Sequence, residues 1–342
     1  MGENFLSEEY TMNHQLATIK KPVVAMIDGV TMGGGVGISV HAPFRVSTER
    51  TLLAMPETQI GFVPDIGSTF VLARLDGELG PYLGLTGQRL KGIDALYSGF
   101  ATHHVRSANL QALENELVQL GTGDYDLINK TIEKYTEPDL DSAGNLAYSY
   151  SLAPYLNSIN RCFKFDTVEQ IIEALQQETE QQEWASKTLE LLHMMSPTSL
   201  KLSLEMIRRA KHMSIKQCLN METQIVCRTI QSHDFFEGVS ELLITKTKNP
   251  KWDPPTIEEV SASFIQSIFD SLDSSFTLKY CNNTDYFESP YKVYELPSAK
   301  EITDAIASYT DGITDKAKLI KDISSKYNSR NGVREKVLSF IS

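Results

Sequence analysis

An α/β fold is predicted for this 342-residue chain by three observations. The β-branched apolar run PVVAMIDGV at 22–30 leads into the glycine turn Gly33-Gly34-Gly35 and then a short helical stretch, GISVHA, ended by Pro43. Two more strand-like runs lie within FRVSTERTLLAMPE at 44–57, and apolar spacing turns helical from about residue 107.

Residues 5–19 have helical spacing and stop before Pro22. PVVAMIDGV reads as a fully buried strand. Pro64-Asp65 is expected to open the helix DIGSTFVLARL, with Asp65 at the N-cap. Residues from 107 to 195 read as helices interrupted by a polar loop, YTEPDLDSAGNLAYSYS at 135–151. Ser196-Pro197 pairs an N-cap with proline at the first helical position. Leu200, Leu204 and Ile207, then Ile215, Cys218, Leu219, Ile225 and Val226, mark the buried faces of two helices. The paired prolines of NPKWDPPTIEEV divide the chain into a 1–253 domain and a 254–342 helical extension. Thr256 and Glu259 form a capping-box pattern that is expected to start a helix there. YCNNTDYFESPYKVYELP at 280–297 interrupts the extension.

The composition is that of an ordinary globular protein, 41% hydrophobic and 22% charged, with no run of about 18 apolar residues that could span a membrane. The start MGENFLSEEY has neither a secretory apolar core nor the Arg-rich character of a transit peptide. Net charge of −12 argues against DNA or broad nucleic-acid binding. One stretch departs from this: 316–342 carries seven basic and two acidic residues, read as a solvated helix face in preference to an RNA contact. Cys162, Cys218, Cys227 and Cys281 are scattered and read as reduced thiols.

The glycine turn does not fit a dinucleotide fingerprint, a P-loop or a nucleophile elbow in any register, and no metal-ligand spacing is present. Two readings of Gly33 to Gly35 stay open. Unpaired N–H groups at the start of the helix can stabilise a developing oxyanion, with bare backbone letting an acyl carbonyl approach; or the glycines serve close helix packing. Glu57, after Pro56 in an apolar segment, is a carboxylate whose protonation can be tuned for acid, base or nucleophilic work. Asp65 is either a second such group or a helix cap. His41 and the His103-His104 pair, placed in a loop, are read as structural.

Residues 20–75 resemble the crotonase (enoyl-CoA hydratase/isomerase) superfamily, and within it the 3-hydroxyisobutyryl-CoA hydrolase family. The likeness rests on EEY at 8–10, VTMGGGVG at 30–37, MPET at 55–58, PDIG at 64–67, LTGQRLKG at 85–92, SPTSLK at 196–201 and HDFFEGV at 233–239. It runs from about residue 5 to 253 and weakly beyond.

The resemblance implies a ββα spiral followed by helices, with Gly34 as a backbone oxyanion donor and Gly33, Glu9, Glu57 and Asp65 lining the acyl site. It implies hydrolysis of 3-hydroxyisobutyryl-CoA or a close 3-hydroxyacyl-CoA in valine catabolism, with Glu57 as nucleophile or activator of water and Asp65 orienting the substrate hydroxyl. No metal or redox cofactor is expected, since coenzyme A is part of the substrate. Gly37 stands where hydratases carry a second glutamate, and Asp65 where they carry glycine, which favours hydrolysis over hydration.

The family pattern begins before residue 1 of this chain, with a segment supplying another oxyanion donor and much of the adenine site. An N-terminally truncated enzyme is therefore expected, or a non-catalytic component of the mitochondrial small ribosomal subunit. Mitochondrial location and homo-oligomerisation through helices around 196–245 are further expectations from the resemblance.

Overall fold

The fold was obtained as a computed structural model describing residues 2–137, 148–308, 316–327 and 330–341. Helix α1 (Gly2–Thr18) is followed by two strands, β1 (Val24–Ile27) and β2 (Val30–Met32), and by the one-turn helix α2 (Gly34–Gly37). The pattern repeats in β3 (Phe44–Ser47), β4 (Leu52–Ala54), a 3₁₀ turn at Glu57–Ile60 and α3 (Ser68–Leu72). After α4 (Leu79–Thr86) come β5 (Leu90–Lys91), α5 (Asp94–Tyr97) and β6 (His103–His104).

Two small sheets result, ordered β1-β3-β6 and β2-β4-β5. β1 runs parallel to β3 with Val24 opposite Phe44, and β2 runs parallel to β4 with Val30 opposite Leu52. The chain changes sheet at stacked corners, where Thr51 Oγ1 donates to the Ile27 carbonyl (2.5 Å), Thr48 Oγ1 donates to Asp28 Oδ1 (2.7 Å) and Leu52 N donates to the Gly29 carbonyl (2.8 Å). Each ββα unit thus lies on the next.

Helices α6 (Leu110–Leu120), α7 (Tyr125–Glu133), α8 (Leu156–Phe163), α9 (Val168–Gln176) and α10 (Gln182–Met194) fill the region expected to be helical. Most of the polar loop read at 135–151 falls on 138–147, outside the described residues. The Ser196 side chain caps α11 (Pro197–Ala210), and Ser214 with Gln217 forms a capping box on α12 (Ile215–Thr229). Leu200, Ile207, Ile215, Leu219 and Val226 are all fully buried, each contributing about 1.5–3 kcal/mol. After α13 (His233–Val239) come α14 (Ala262–Asp270), α15 (Ala299–Ala307), α16 (Lys316–Lys326) and α17 (Val333–Ile341).

Six sequence expectations need correction. The short helix read at GISVHA lies earlier, at Gly34–Gly37, and only turns and a bend follow it to Pro43. PVVAMIDGV is not fully buried: β1 and β2 are the outermost strands of their sheets, so Val24, Ala25 and Met26 are only half-buried and Val30 is exposed. Asp65 does not cap α3, because Gly67 takes that place in a left-handed conformation (φ 77°). His103 and His104 are strand residues hydrogen-bonded beside β3. Thr256 Oγ1 does reach Glu259 Oε1 (3.3 Å), but only a turn forms there; the helix starts later, capped by Ser261. Within the basic stretch 316–342, Arg330 and Lys336 are buried rather than solvated: Lys336 pairs with Asp76 at 2.8 Å, and Arg330 donates to the carbonyls of Tyr294 and Thr102.

Candidate active site

Because β2 and β4 are parallel neighbours, with Met32 opposite Ala54, their carboxyl ends deliver Gly33 and Glu57 to the same place. Gly33 has φ 50° and ψ −123°, a conformation that glycine adopts readily, and it caps α2 without a side chain. A Cβ built on Gly33 would lie 3.4 Å from Glu57 Oε1, and one on Gly34 would lie 3.4 Å from Glu9 Oε1. Bare backbone therefore faces a carboxyl on each side. The N–H groups of Gly34 and Gly35 have no acceptor within their helix, whereas Val36 N and Gly37 N return to the Gly33 carbonyl at 2.8 and 3.2 Å.

Glu57 opens the 3₁₀ turn after Pro56 and is only 5% exposed. Its Oε2 is buried with no hydrogen-bond partner among the described residues. Burial, and then the charge of Asp65, push its pKa well above the usual carboxylate value. On its open side Glu57 lines a cleft of about 960 Å³ with Gly33, Met194, Leu242 and Trp252.

The Asp65 carboxyl, free of capping duty, accepts a 2.5 Å hydrogen bond from Tyr10 Oη on α1. Burial raises its pKa to about 7, opposed by the Tyr10 bond and reinforced by Glu9. Glu9, one residue before Tyr10, is half-buried and raised by burial. All five residues singled out from sequence, Glu9, Gly33, Gly34, Glu57 and Asp65, thus converge on one site.

Gly37 explains the absence of another acid. A Cβ there would meet Ile66 Cδ1 at 2.7 Å and Asn13 Nδ2 at 3.0 Å, so close packing leaves no room for a side chain. Close packing of this kind acts at Gly37, outside the Gly33–Gly35 turn, while bare backbone faces carboxyls at Gly33 and Gly34. Ile66 is itself buried with φ 59°, a strained choice for a β-branched residue that costs on the order of 1–3 kcal/mol.

Two groups support this turn: His41, read from sequence as structural, and Glu222, which sequence reasoning missed. His41 Nε2 bonds the Ile66 carbonyl at 2.8 Å, so that nitrogen carries the proton, and burial lowers the imidazole pKa to about 4. Glu222 of α12 is fully buried and accepts from Gly67 N (2.6 Å), Thr69 N (3.0 Å) and Thr69 Oγ1 (2.5 Å). Its signal was an acid on an apolar stripe, three residues after Leu219 and four before Val226. The arrangement offers N–H donors beside a cleft and two buried carboxyls with raised pKa values, a set suited to attack on a carbonyl and proton transfer. No group of three or more His, Cys, Asp or Glu residues that could hold a metal occurs among the described residues.

A family profile described as enoyl-CoA hydratase/isomerase matches residues 1–269. The small ribosomal subunit protein mS47 of Neurospora crassa is 40% identical over 98% of this chain and 68% of its own length. A mitochondrial 3-hydroxyisobutyryl-CoA hydrolase of Xenopus tropicalis is 44% identical over 80% of this chain and 70% of its own. Among solved structures, a carnitinyl-CoA dehydratase from Mycobacterium thermoresistibile superposes with a TM-score of 0.72 at 32% identity, covering 82% of this chain and 77% of that one.

Proposed function

The chain belongs to the enoyl-CoA hydratase/isomerase family, and from that premise we propose that it hydrolyses the thioester of 3-hydroxyisobutyryl-CoA, or a close 3-hydroxyacyl-CoA, to the free acid and coenzyme A. The observation that carries this reading is the pair of buried carboxyls Glu57 and Asp65, close enough for the charge of Asp65 to act on Glu57, with Glu57 beside the Gly33-Gly34 turn and Gly37 sterically closed to the further glutamate that hydration would use. The hydrolase relatives, 39–44% identical over about 80% of the chain, support it.

In this mechanism the thioester carbonyl accepts a hydrogen bond from the Gly34 N–H, which strengthens as the oxygen gains negative charge. Ionised Glu57 either attacks the carbonyl carbon, displacing the thiolate and leaving an acyl-Glu57 anhydride that water then hydrolyses to the free acid, or takes a proton from a water that attacks the carbonyl. In both cases the C–S bond breaks and the thiolate leaves as the thiol after taking up a proton released from the water. Asp65, oriented by Tyr10, holds the substrate hydroxyl or relays the proton. Thiol release should therefore rise with pH along a limb well above the ordinary glutamate range, because Glu57 must lose its proton to act. Assays with 3-hydroxyisobutyryl-CoA and with a 2-enoyl-CoA test the reading: thiol release from the first without hydration of the second supports it, and the reverse overturns it.

A second reading has its own support. The ribosomal relative aligns over 98% of the chain, against about 80% for the hydrolases, so a place in the mitochondrial small ribosomal subunit is the alternative. Co-sedimentation with that subunit, weakening as salt rises, would favour it. Both readings place the protein in the mitochondrion. Self-association around 196–245 is supported by the exposed Phe236, Leu243 and Ile244.

A further inference from the structure

The turn that carries Asp65 is held from behind by groups the reaction itself does not use. Asp65 is followed by two left-handed residues, Ile66 (φ 59°) and Gly67 (φ 77°). A turn built this way needs partners on its backbone to keep its direction. The Ile66 carbonyl is taken by His41, and a Cβ on Gly67 would lie 2.6 Å from that ring. The N–H groups of Gly67 and Thr69 converge with the Thr69 hydroxyl on the two oxygens of Glu222, which comes from α12, more than 150 residues away in sequence. A carboxylate accepting three donors in a buried site is fixed in place, and it fixes the donors in return.

We propose that Glu222 is a positioning residue for Asp65: by gripping Gly67 and Thr69 it sets the left-handed turn, and so the direction in which the Asp65 carboxyl meets Tyr10 and the substrate. The role rests on the hydrolase reading, in which Asp65 touches the substrate, and Glu222 acts only through it. Titratable groups facing this pair are Tyr10 and Glu9 from α1, Glu57 from the 3₁₀ turn, His41 after α2, Cys218 on α12 itself and Tyr280 from the segment crossing it. Burial raises Glu222 to about 8 while Thr69 and Gly67 pull it down, and the charge of Asp65 adds to the rise, so the two charges are linked.

The test is a double-mutant cycle of Glu222→Gln and Asp65→Asn on the full chain, with kcat and KM for 3-hydroxyisobutyryl-CoA and the melting temperature of each variant. An amide at 222 keeps the volume but turns an N–H₂ towards an N–H donor. Glu222→Gln should lower kcat about 10- to 100-fold with KM changed less than about threefold, and should cost almost nothing further in the Asp65→Asn background. Thr69→Val, which removes one of the three donors, should give a smaller kcat loss of the same kind. An equal loss in both backgrounds, or a lower melting temperature with kcat intact, would reduce Glu222 to a structural helix cap. If the wild-type chain releases no thiol, the hydrolase reading fails by itself, and the positioning claim is read from the ¹³C carboxyl titration of Asp65. Glu222→Gln, by loosening the Tyr10 bond that holds Asp65 down, should move that midpoint up; an unmoved or lowered midpoint overturns the claim.

Discussion

Glu57 and Asp65 are both buried, and the charge of Asp65 raises the cost of ionising Glu57, so the two titrations are coupled. This has a consequence for stability. Asp65 titrates at about 7 in the folded chain against an ordinary value of 3.8, so between those limits the folded state binds more protons than the unfolded one. Stability supplied by the protonated form is complete below the unfolded value and is lost as pH rises towards about 7. Asp65→Asn should accordingly stabilise the protein at pH 8 by on the order of 2 kcal/mol and do nothing at pH 4, as read by denaturant melts, even as it lowers thiol release. Glu57 and the glycines could be found from sequence because their signals are local: an acid within an apolar run, and three glycines in a row. Tyr10 and Glu222 could not be paired with Asp65 that way, since their bonds join segments 55 and more than 150 residues apart.

At the scale of elements, the ββα unit was legible because strand runs, glycine turn and proline stops all agree locally. Capping was legible at Ser196 for the same reason. After Thr256 the chain forms only a turn although Ile257 and Val260 are buried, whereas Ser261 caps a helix that buries Ile265 and Phe269. The partial burial of β1 and β2 depends on which strands lie beside them, and an apolar run does not report that. Helix α2 packs so closely on Ile66 that Gly37→Ala should destabilise the chain by about 1–3 kcal/mol, measured by urea unfolding. Its activity should fall more than its stability, because the displaced Ile66 adjoins Asp65.

For the whole molecule, the region after 253 shares one hydrophobic core with the helices before it: Ile265, Phe269, Ile302 and Val337 pack in the same cluster as Leu200 and Val226. Polar ties run alongside. His14 Nε2 bonds the Thr284 carbonyl at 2.9 Å, Ser214 Oγ donates to Asp285 at 2.7 Å, and buried Arg45 spans the Phe100 carbonyl (2.8 Å) and Glu295 (2.9 Å). Arg45→Met should cost about 3 kcal/mol in a thermal or denaturant melt, since it strands those acceptors. The cationic stretch that looked like a solvated face from sequence contributes Arg330 and Lys336 to this internal bracing, which only the folded path of the chain reveals. In the proposed function this architecture positions Glu57 to cleave a thioester, which free-thiol release from 3-hydroxyisobutyryl-CoA by the purified 342-residue chain, beside its Glu57→Gln variant, tests. Steady release by the wild type that falls at least about 10³-fold in the variant is the predicted result; a folded wild type that releases no more thiol than the variant would contradict it.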